Sequence, residues 1–349
     1  MPDLVVAGAG MAGLVAAARA RERGADVLVL EKGDRPGGSM LLSSGVVWRY
    51  RDWERFREEC PGGDPELQHL VWERLGDDLA WLETLGASVV ERETGNPLTT
   101  GLRLDPGKLT ETLARRASEI RLREPLTELP EGMPVILATG GFQGNVDLVR
   151  RHITAEATNL VLRANPWSAG DGLRLALARG AALSAGLDEF YGRNLAAAPK
   201  ISPGDFVPLA QVYAKHAGVE NLRGEAYEPR TWSEIDVVQW TARQPAARAR
   251  YIVPDAALRE PVRDRTVADL IEAARRAGAP VEQRNGETVV EVVAGITTTL
   301  GGIRIDGRAR AAEGLYAAGA DAGGISTGGW SSALASALVL GKLAAEDAI

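Results

Sequence analysis

Leu4-Val5-Val6-Ala7-Gly8-Ala9-Gly10-Met11-Ala12-Gly13 opens the chain, and after an Ala-rich segment through Arg21 comes the apolar stretch Asp26-Val27-Leu28-Val29-Leu30, closed by Glu31. A short apolar strand, a turn with glycines at its first, third and sixth places, a helix and a second strand ending in an acid read as the first βαβ unit of a dinucleotide-binding domain. Each glycine has its own task. Gly8 permits the tight turn, Gly10 lets backbone approach a pyrophosphate, and Gly13 lets the helix lie close to the strand. The first helical residues, Met11 and Ala12, then point free amides at the phosphates. Glu31 is placed to accept a hydrogen bond from a ribose 2′-hydroxyl.

The totals set limits on what surrounds this unit. A chain of 349 residues suits one large domain or two linked ones. A net charge of −7 without a run of Lys and Arg argues against a nucleic-acid partner. Cys60 is the sole cysteine, and His69, His152 and His216 lie far apart, so neither an intrachain disulfide nor a metal site is expected. The first strand begins at Leu4 with no charged or apolar leader ahead of it, and no apolar run reaches the ~18 residues of a membrane span. A cytoplasmic protein with a small-molecule substrate is the expectation.

Lys32-Gly33-Asp34-Arg35-Pro36-Gly37-Gly38-Ser39 bears on which dinucleotide is bound. A Gly-Gly turn directly after the acidic residue brings backbone amides and the Ser39 hydroxyl toward a diphosphate and ribityl chain, with Lys32 alongside, and this reads as FAD. A left-handed turn between elements would also use the glycine pair. No His, Cys or Tyr falls between Gly37 and Val47, so the FAD is expected to be non-covalent, with the small segment around Gly45 beneath its ring. Helical spacing over 52–85 breaks at Pro61-Gly62-Gly63-Asp64-Pro65, where Asp64 and Pro65 make an N-cap and N1 pair. A helix over 108–120 and a strand over 121–129 follow. The apolar strand Pro134–Ala138 runs into Thr139-Gly140-Gly141, which again brings backbone near a ligand at the carboxyl end of a parallel sheet. Gly170-Asp171-Gly172 leads another helix. From Asp188 to Glu291 aromatics, prolines and charges are interspersed, as in a smaller inserted domain. The chain closes with a strand at Leu315–Ala318, a glycine-rich turn carrying Asp321, and a helix from about Ser331.

These pieces resemble the flavoprotein family of fumarate reductase, succinate dehydrogenase, tricarballylate dehydrogenase and 3-ketosteroid Δ1-dehydrogenase. The matching segments are the N-terminal fingerprint, Glu31 with Gly37-Gly38-Ser39, Ala138–Phe142, Gly170-Asp171-Gly172, Thr299-Leu300-Gly301-Gly302 and Gly314–Gly319, in the family's order. The resemblance implies an α/β chain: a Rossmann-like FAD-binding domain in two sequence pieces, 1–187 and 292–349, with a small inserted α+β capping domain, 188–291, that closes over the isoalloxazine. It implies hydride exchange between flavin N5 and a carbon-carbon bond next to a carbonyl or carboxylate. Cofactor contacts are then expected from Thr139, Gly140, Asp171, Asp321, Ser331, Ser332 and Leu334 besides the N-terminal glycines, the last helix stabilising negative charge on reduced flavin through its dipole.

Departures from the family pattern bear on substrate. Thr297-Thr298 stand where fumarate reductases have a histidine, no arginine occurs in Thr327–Ser332 or Ile235–Gln239, and Ala320-Asp321 stands at a family glutamate. Two carboxylates need cationic partners when drawn out of water. A site with Thr297, Thr298 and Trp330 suits a larger, less charged molecule than fumarate, with Tyr227 as a further contact and Trp232 and Trp240 as candidate lining. For proton transfer Tyr191 and Arg193 come first, because a tyrosine beside an arginine can act as a base, and Tyr213 and His216 follow. No second GxGxxG is present, so the other half-reaction is expected to use a separate electron acceptor or donor: a quinone, a carrier protein or oxygen. Two other readings stay open, an alcohol or amine oxidase or dehydrogenase on the same fold, and a flavin-binding protein without catalysis.

Overall fold

A computed structural model describes residues 1–229, 233–262 and 264–349, and Trp232 lies outside the described residues. The chain divides into two compact units. The first comprises Met1–Asn145, Ala164–Glu189 and Thr298–Ile349. Its centre is the strand Leu4–Ala7, buried at every residue and parallel to both neighbours, with Leu4 opposite Val27 and Val5 opposite Val135. A strand covered on both faces has no polar side to alternate with, which is why Leu4-Val5-Val6-Ala7 is uniformly apolar. The six strands lie in the order Arg310–Ala312, Leu315–Ala317, Val135–Leu137, Leu4–Ala7, Val27–Glu31, Glu119–Leu122, and only the first pair is antiparallel.

The edge strand differs from the sequence expectation. The helix before it ends at Ala114 and the strand occupies Glu119–Leu122 rather than 121–129. Arg123 adopts a left-handed φ of 59°, and the Arg123 and Glu124 amides donate to the Gly33 and Glu31 carbonyls, turning the chain toward the loop after Glu31. A three-stranded antiparallel sheet, Val46–Tyr50, Thr99–Leu104 and Val89–Glu91, completes the β structure of this unit. Helix Pro65–Thr84 starts as expected, the Asp64 carboxylate accepting from the Glu66 and Leu67 amides with Pro65 in the first turn. Helices Met11–Glu22 and Ala333–Ala348 pack backbone to backbone: a Cβ at Gly341 would lie 2.5 Å from the Ala12 carbonyl oxygen.

The second unit comprises Val146–Arg163 and Phe190–Thr297. The sequence boundaries at 188 and 292 cut the chain elsewhere. Strand Val161–Leu162 pairs with Gly295 and Ile296, and the Thr154 hydroxyl donates to the Ala242 carbonyl at 2.7 Å, so 146–163 is bonded into this unit by partners over eighty positions away. Its sheet runs Gly218–Asn221, Arg248–Pro254, Glu287–Thr299, Val281–Arg284, with Val161–Leu162 and Phe190–Ala196 also paired to the long strand. Helix Val267–Arg276 lays Val267, Leu270, Ile271 and Ala274 into the core, as its spacing predicts, and begins with a Thr266–Asp269 capping box.

Candidate functional site

Along the carboxyl edge of the parallel sheet the three fingerprint glycines are required for different reasons. Gly8 has φ +104°, and a Cβ there would lie 2.3 Å from the Ala138 carbonyl oxygen. At Gly13 a Cβ would lie 1.9 Å from the Gly8 carbonyl oxygen. Those two are demanded by the protein's own backbone. Around Gly10, by contrast, an added Cβ meets no protein atom within 4 Å. Gly10 is also the N-cap of helix Met11–Glu22 and brings no side-chain cap, which leaves the first-turn amides of Met11 and Ala12 to a ligand. Glu31 is buried, one carboxylate oxygen accepting from the Ala9 amide and the other from the Gly33 amide, each at 2.6 Å. It thus holds both glycine loops in place, and each oxygen keeps a further lone pair.

Gly37 and Gly38 both take left-handed φ, 111° and 54°, and a Cβ on Gly38 would stand 3.1 Å from the Gly10 Cα. The Gly-Gly turn therefore folds directly against the fingerprint. The Ser39 hydroxyl accepts from the Asn165 amide and side chain at 3.2 and 3.0 Å, and Lys32 pairs with Asp171 at 2.8 Å. Asn165 itself accepts from the Trp167 and Ser168 amides, and Trp167 packs on Gly33. Neither residue was singled out from sequence, although Asn165 before Pro166 is a turn signal. Gly45 is glycine because a Cβ would lie 2.0 Å from the Leu104 carbonyl oxygen, a demand of the three-stranded sheet itself. At Gly140 a Cβ would lie 2.6 Å from the Ser168 hydroxyl.

Asp321 is spoken for by the protein. Its carboxylate accepts from the Thr139 amide, the Thr139 hydroxyl and the Gly141 amide, and the Thr139 hydroxyl accepts in turn from the Gly172 amide. Burial raises the Asp321 carboxyl above its ordinary value, and these bonds pull it back. The carboxylate positions the Thr-Gly-Gly turn. In Asp321→Asn an amide NH2 faces those donors, and a loss of about 2 kcal/mol in denaturant unfolding is expected; an unchanged midpoint would refute the positioning role.

Helix Ala333–Ala348 begins where a cavity opens, lined by Thr298, Thr299, Gly319, Ser326, Trp330 and Ala333 among others. The Ser332 hydroxyl caps the helix through the Ala335 amide, Ser331 shares a 2.6 Å bond with Ser326, and Leu334 lies partly exposed in the first turn. Thr299, not flagged from sequence, is the informative residue. Its hydroxyl is buried with no hydrogen-bond partner, and a Cβ on Gly141 would stand 2.6 Å from it.

In the second unit, strand Phe190–Ala196 sets Tyr191 and Arg193 on one face, the guanidinium 4.8 Å from the phenol ring centroid. Arg163, also missed in the sequence, crosses Gly295, where an added Cβ would lie 2.6 Å from the Arg163 Cδ and 3.1 Å from the Arg193 carbonyl oxygen. It donates from Nη1 to the Thr297 hydroxyl at 2.8 Å. Two sequence candidates are corrected. Tyr213 is fully buried, its hydroxyl donating to Gln211 at 2.8 Å and its ring edge-on to Tyr251, and burial drives its pKa up. Tyr227 belongs to the same core and packs on Trp240, the ring centroids 5.3 Å apart. Both rings belong to the buried core of the second unit. His216 sits half-buried at the end of the turn Ala214–His216, with Nε2 buried and without a partner.

A family described as FAD binding domain matches residues 3–133 and 130–332. The chain belongs to the FAD-binding domain family. A vinyl phenol reductase of Lactiplantibacillus plantarum is 28% identical over 51% of this chain and 46% of its own length. A probable fumarate reductase, Ifc3, of Shewanella frigidimarina is 24% identical over 52% of this chain and 39% of its own length. The match thus spans less than half the length of either curated relative. Among solved structures, the 3-ketosteroid Δ1-dehydrogenase of Sterolibacterium denitrificans superposes with a TM-score of 0.73 over 99% of both chains at 15% identity. That likeness shows the fold.

The residues of this FAD-binding chain fit the cofactor. Gly10 is a cradle that any larger side chain would fill, and the Thr299 hydroxyl is a buried polar atom that lacks a protein partner at the cavity beside the last helix. Among the described residues no helix is long and apolar enough to cross a membrane.

Proposed function

We propose that the chain is an FAD-dependent oxidoreductase that adds or removes two hydrogens across a carbon-carbon bond next to a carbonyl, on a substrate larger and less charged than fumarate. The observation that carries this is one edge bearing the Gly10 cradle, Glu31, the Gly37-Gly38 turn and the cavity at the last helix. The names of the curated relatives, a vinyl phenol reductase and a probable fumarate reductase, both refer to compounds with a carbon-carbon double bond. The bound flavin would supply hydride exchange at N5.

The Met11 and Ala12 amides would hold the diphosphate, with the helix dipole behind them. Glu31 would hold a ribose hydroxyl through its remaining lone pairs. The Thr299 hydroxyl, which has no protein partner, and the start of helix Ala333–Ala348 would hold the isoalloxazine end of the cofactor. Tyr191 moves the proton at the carbon next to the carbonyl, and the Arg193 guanidinium packed over its ring orients it. Thr298 and Trp330 shape the substrate side. A quinone, a carrier protein or oxygen takes part in the other half-reaction. The test is anaerobic: photoreduced, FAD-loaded protein should be reoxidised by activated alkenes, both neutral enones and enoates. Bleaching of the oxidised flavin by alcohols or amines alone would replace this reading with the oxidase one.

A further inference from the structure

We propose that Gln68 is a positioning residue for the isoalloxazine end of the cofactor site. Its side-chain amide fastens the turn 60–64 to the loop 324–330 and so holds one wall of the cavity at the last helix. This rests on the placement of the cofactor given above and names a residue that acts from behind the wall.

The loop 324–330 is neither helix nor strand, yet Ile325, Ser326 and Trp330 line the cavity. Its backbone is held from outside. The Gly62 amide donates to the Thr327 carbonyl at 3.1 Å and the Asp64 amide to the Gly324 carbonyl at 2.7 Å. The Tyr50 hydroxyl donates to the Trp330 carbonyl at 3.0 Å, and the Gly328 amide donates to the Glu189 carboxylate at 2.6 Å. The helix-breaking run Pro61-Gly62-Gly63-Asp64-Pro65 is therefore the place where the chain turns against the cavity wall. At Gly329 a Cβ would lie 1.7 Å from the Glu59 carbonyl oxygen, so the two backbones meet as closely as glycine permits.

Gln68 bridges this junction. Its side chain is fully buried, and Nε2 donates to the Cys60 carbonyl at 2.9 Å and to the Ile325 carbonyl, 257 positions away, at 2.7 Å. Its Oε1 accepts from the Arg57 guanidinium, which also donates to the Gly63 carbonyl at 2.9 Å. A primary amide offers two N–H donors beside an acceptor oxygen, and both donors are used. Two buried carbonyls from distant segments need such a group between them, because each one left unpartnered is costly. Arg57 fixes which end of the amide faces them. Ionised glutamate has the same shape but only accepts, so in Gln68→Glu two carbonyls meet a carboxylate and the loop is pushed away. Among the described residues the bonds of Gln68 go to 57, 60 and 325, none of them in the fingerprint turn that would take the diphosphate. The ring end and the diphosphate end of the site are thus separable.

The test is calorimetric titration of apoprotein with FAD and, separately, with ADP, which carries the adenosine and diphosphate but no ring. The ratio of FAD to ADP affinity should fall about 10-fold or more in Gln68→Glu, with ADP affinity itself unchanged. A general loosening of the fold would weaken both nucleotides together and leave the ratio alone. Arg57→Met removes only the bond that orients the amide, and should lower the ratio about threefold or more. It decides alone if Gln68→Glu does not fold. A smaller fall in the ratio, or a parallel loss of FAD and ADP, would overturn the positioning role. Flavin reoxidised by enones in a protein whose ratio ignores Gln68 refutes that role and spares the redox assignment. A ratio that depends on Gln68 beside a flavin inert to every alkene does the reverse.

Discussion

Gly10→Val should yield a folded protein that purifies colourless, with FAD affinity lowered at least 100-fold, equivalent to about 2.7 kcal/mol. Gly10 has φ −78° and ψ −170°, extended backbone that valine adopts without strain, and its Cβ would meet no protein atom within 4 Å. The cost to the apoprotein is that of a poorer N-cap, about 1 kcal/mol. The cost to the cofactor is much larger, because the isopropyl group occupies the space through which a diphosphate reaches the Met11 and Ala12 amides. Gly13→Val is the contrast: with its Cβ 1.9 Å from the Gly8 carbonyl oxygen it should not fold at all. Fluorescence titration of apoprotein with FAD, beside thermal unfolding of the same samples, separates the two effects. A yellow Gly10→Val protein of undiminished affinity would remove the diphosphate from this turn.

Asp78→Ala should destabilise the protein by about 3–5 kcal/mol. The Lys342 ammonium donates to the Asp78 carboxylate at 2.6 Å, and the two side chains are only 10% and 2% exposed. Burial pushes the Asp78 carboxyl up and Lys342 draws it back, so the pair is held by mutual compensation. Truncating Asp78 leaves the buried Lys342 ammonium without its hydrogen-bond acceptor. With an unfolding entropy of about 2.1 cal/mol/K per residue, a chain of 349 residues should lose roughly 4–7 °C in Tm. The double replacement Asp78→Leu with Lys342→Met should recover most of the loss, since apolar residues of similar volume remove both charges together. A single variant melting within a degree of the parent would show that water reaches Lys342. The pair matters to the site because it ties helix Pro65–Thr84 to helix Ala333–Ala348, whose first turn lines the cavity.

The cofactor edge was legible because each of its signals is local. Gly8, Gly10 and Gly13 announce themselves by spacing, Glu31 by closing an apolar strand, and Asp64-Pro65 by cap chemistry that depends on adjacent residues alone. The polar side chains of the second unit were far less so. In sequence Tyr213 looks like a proton-transfer candidate and Tyr227 like a substrate contact, and packing makes both core. Arg163 looks like an ordinary surface charge after a short strand, and Thr299 like one of three threonines in a row.

Sequence by itself determined the family, the parallel sheet and the glycine turns at its carboxyl edge, because backbone conformation and strand burial are dictated by neighbours along the chain. Only the tertiary structure decided which side chains are left to meet a ligand. Arg163 owes its place to Gly295 and to Thr297, 134 positions away, and Asp321 is consumed by a turn at Thr139, 182 positions away. Whether a polar group is satisfied by the protein or left for a ligand depends on partners that only folding brings within reach.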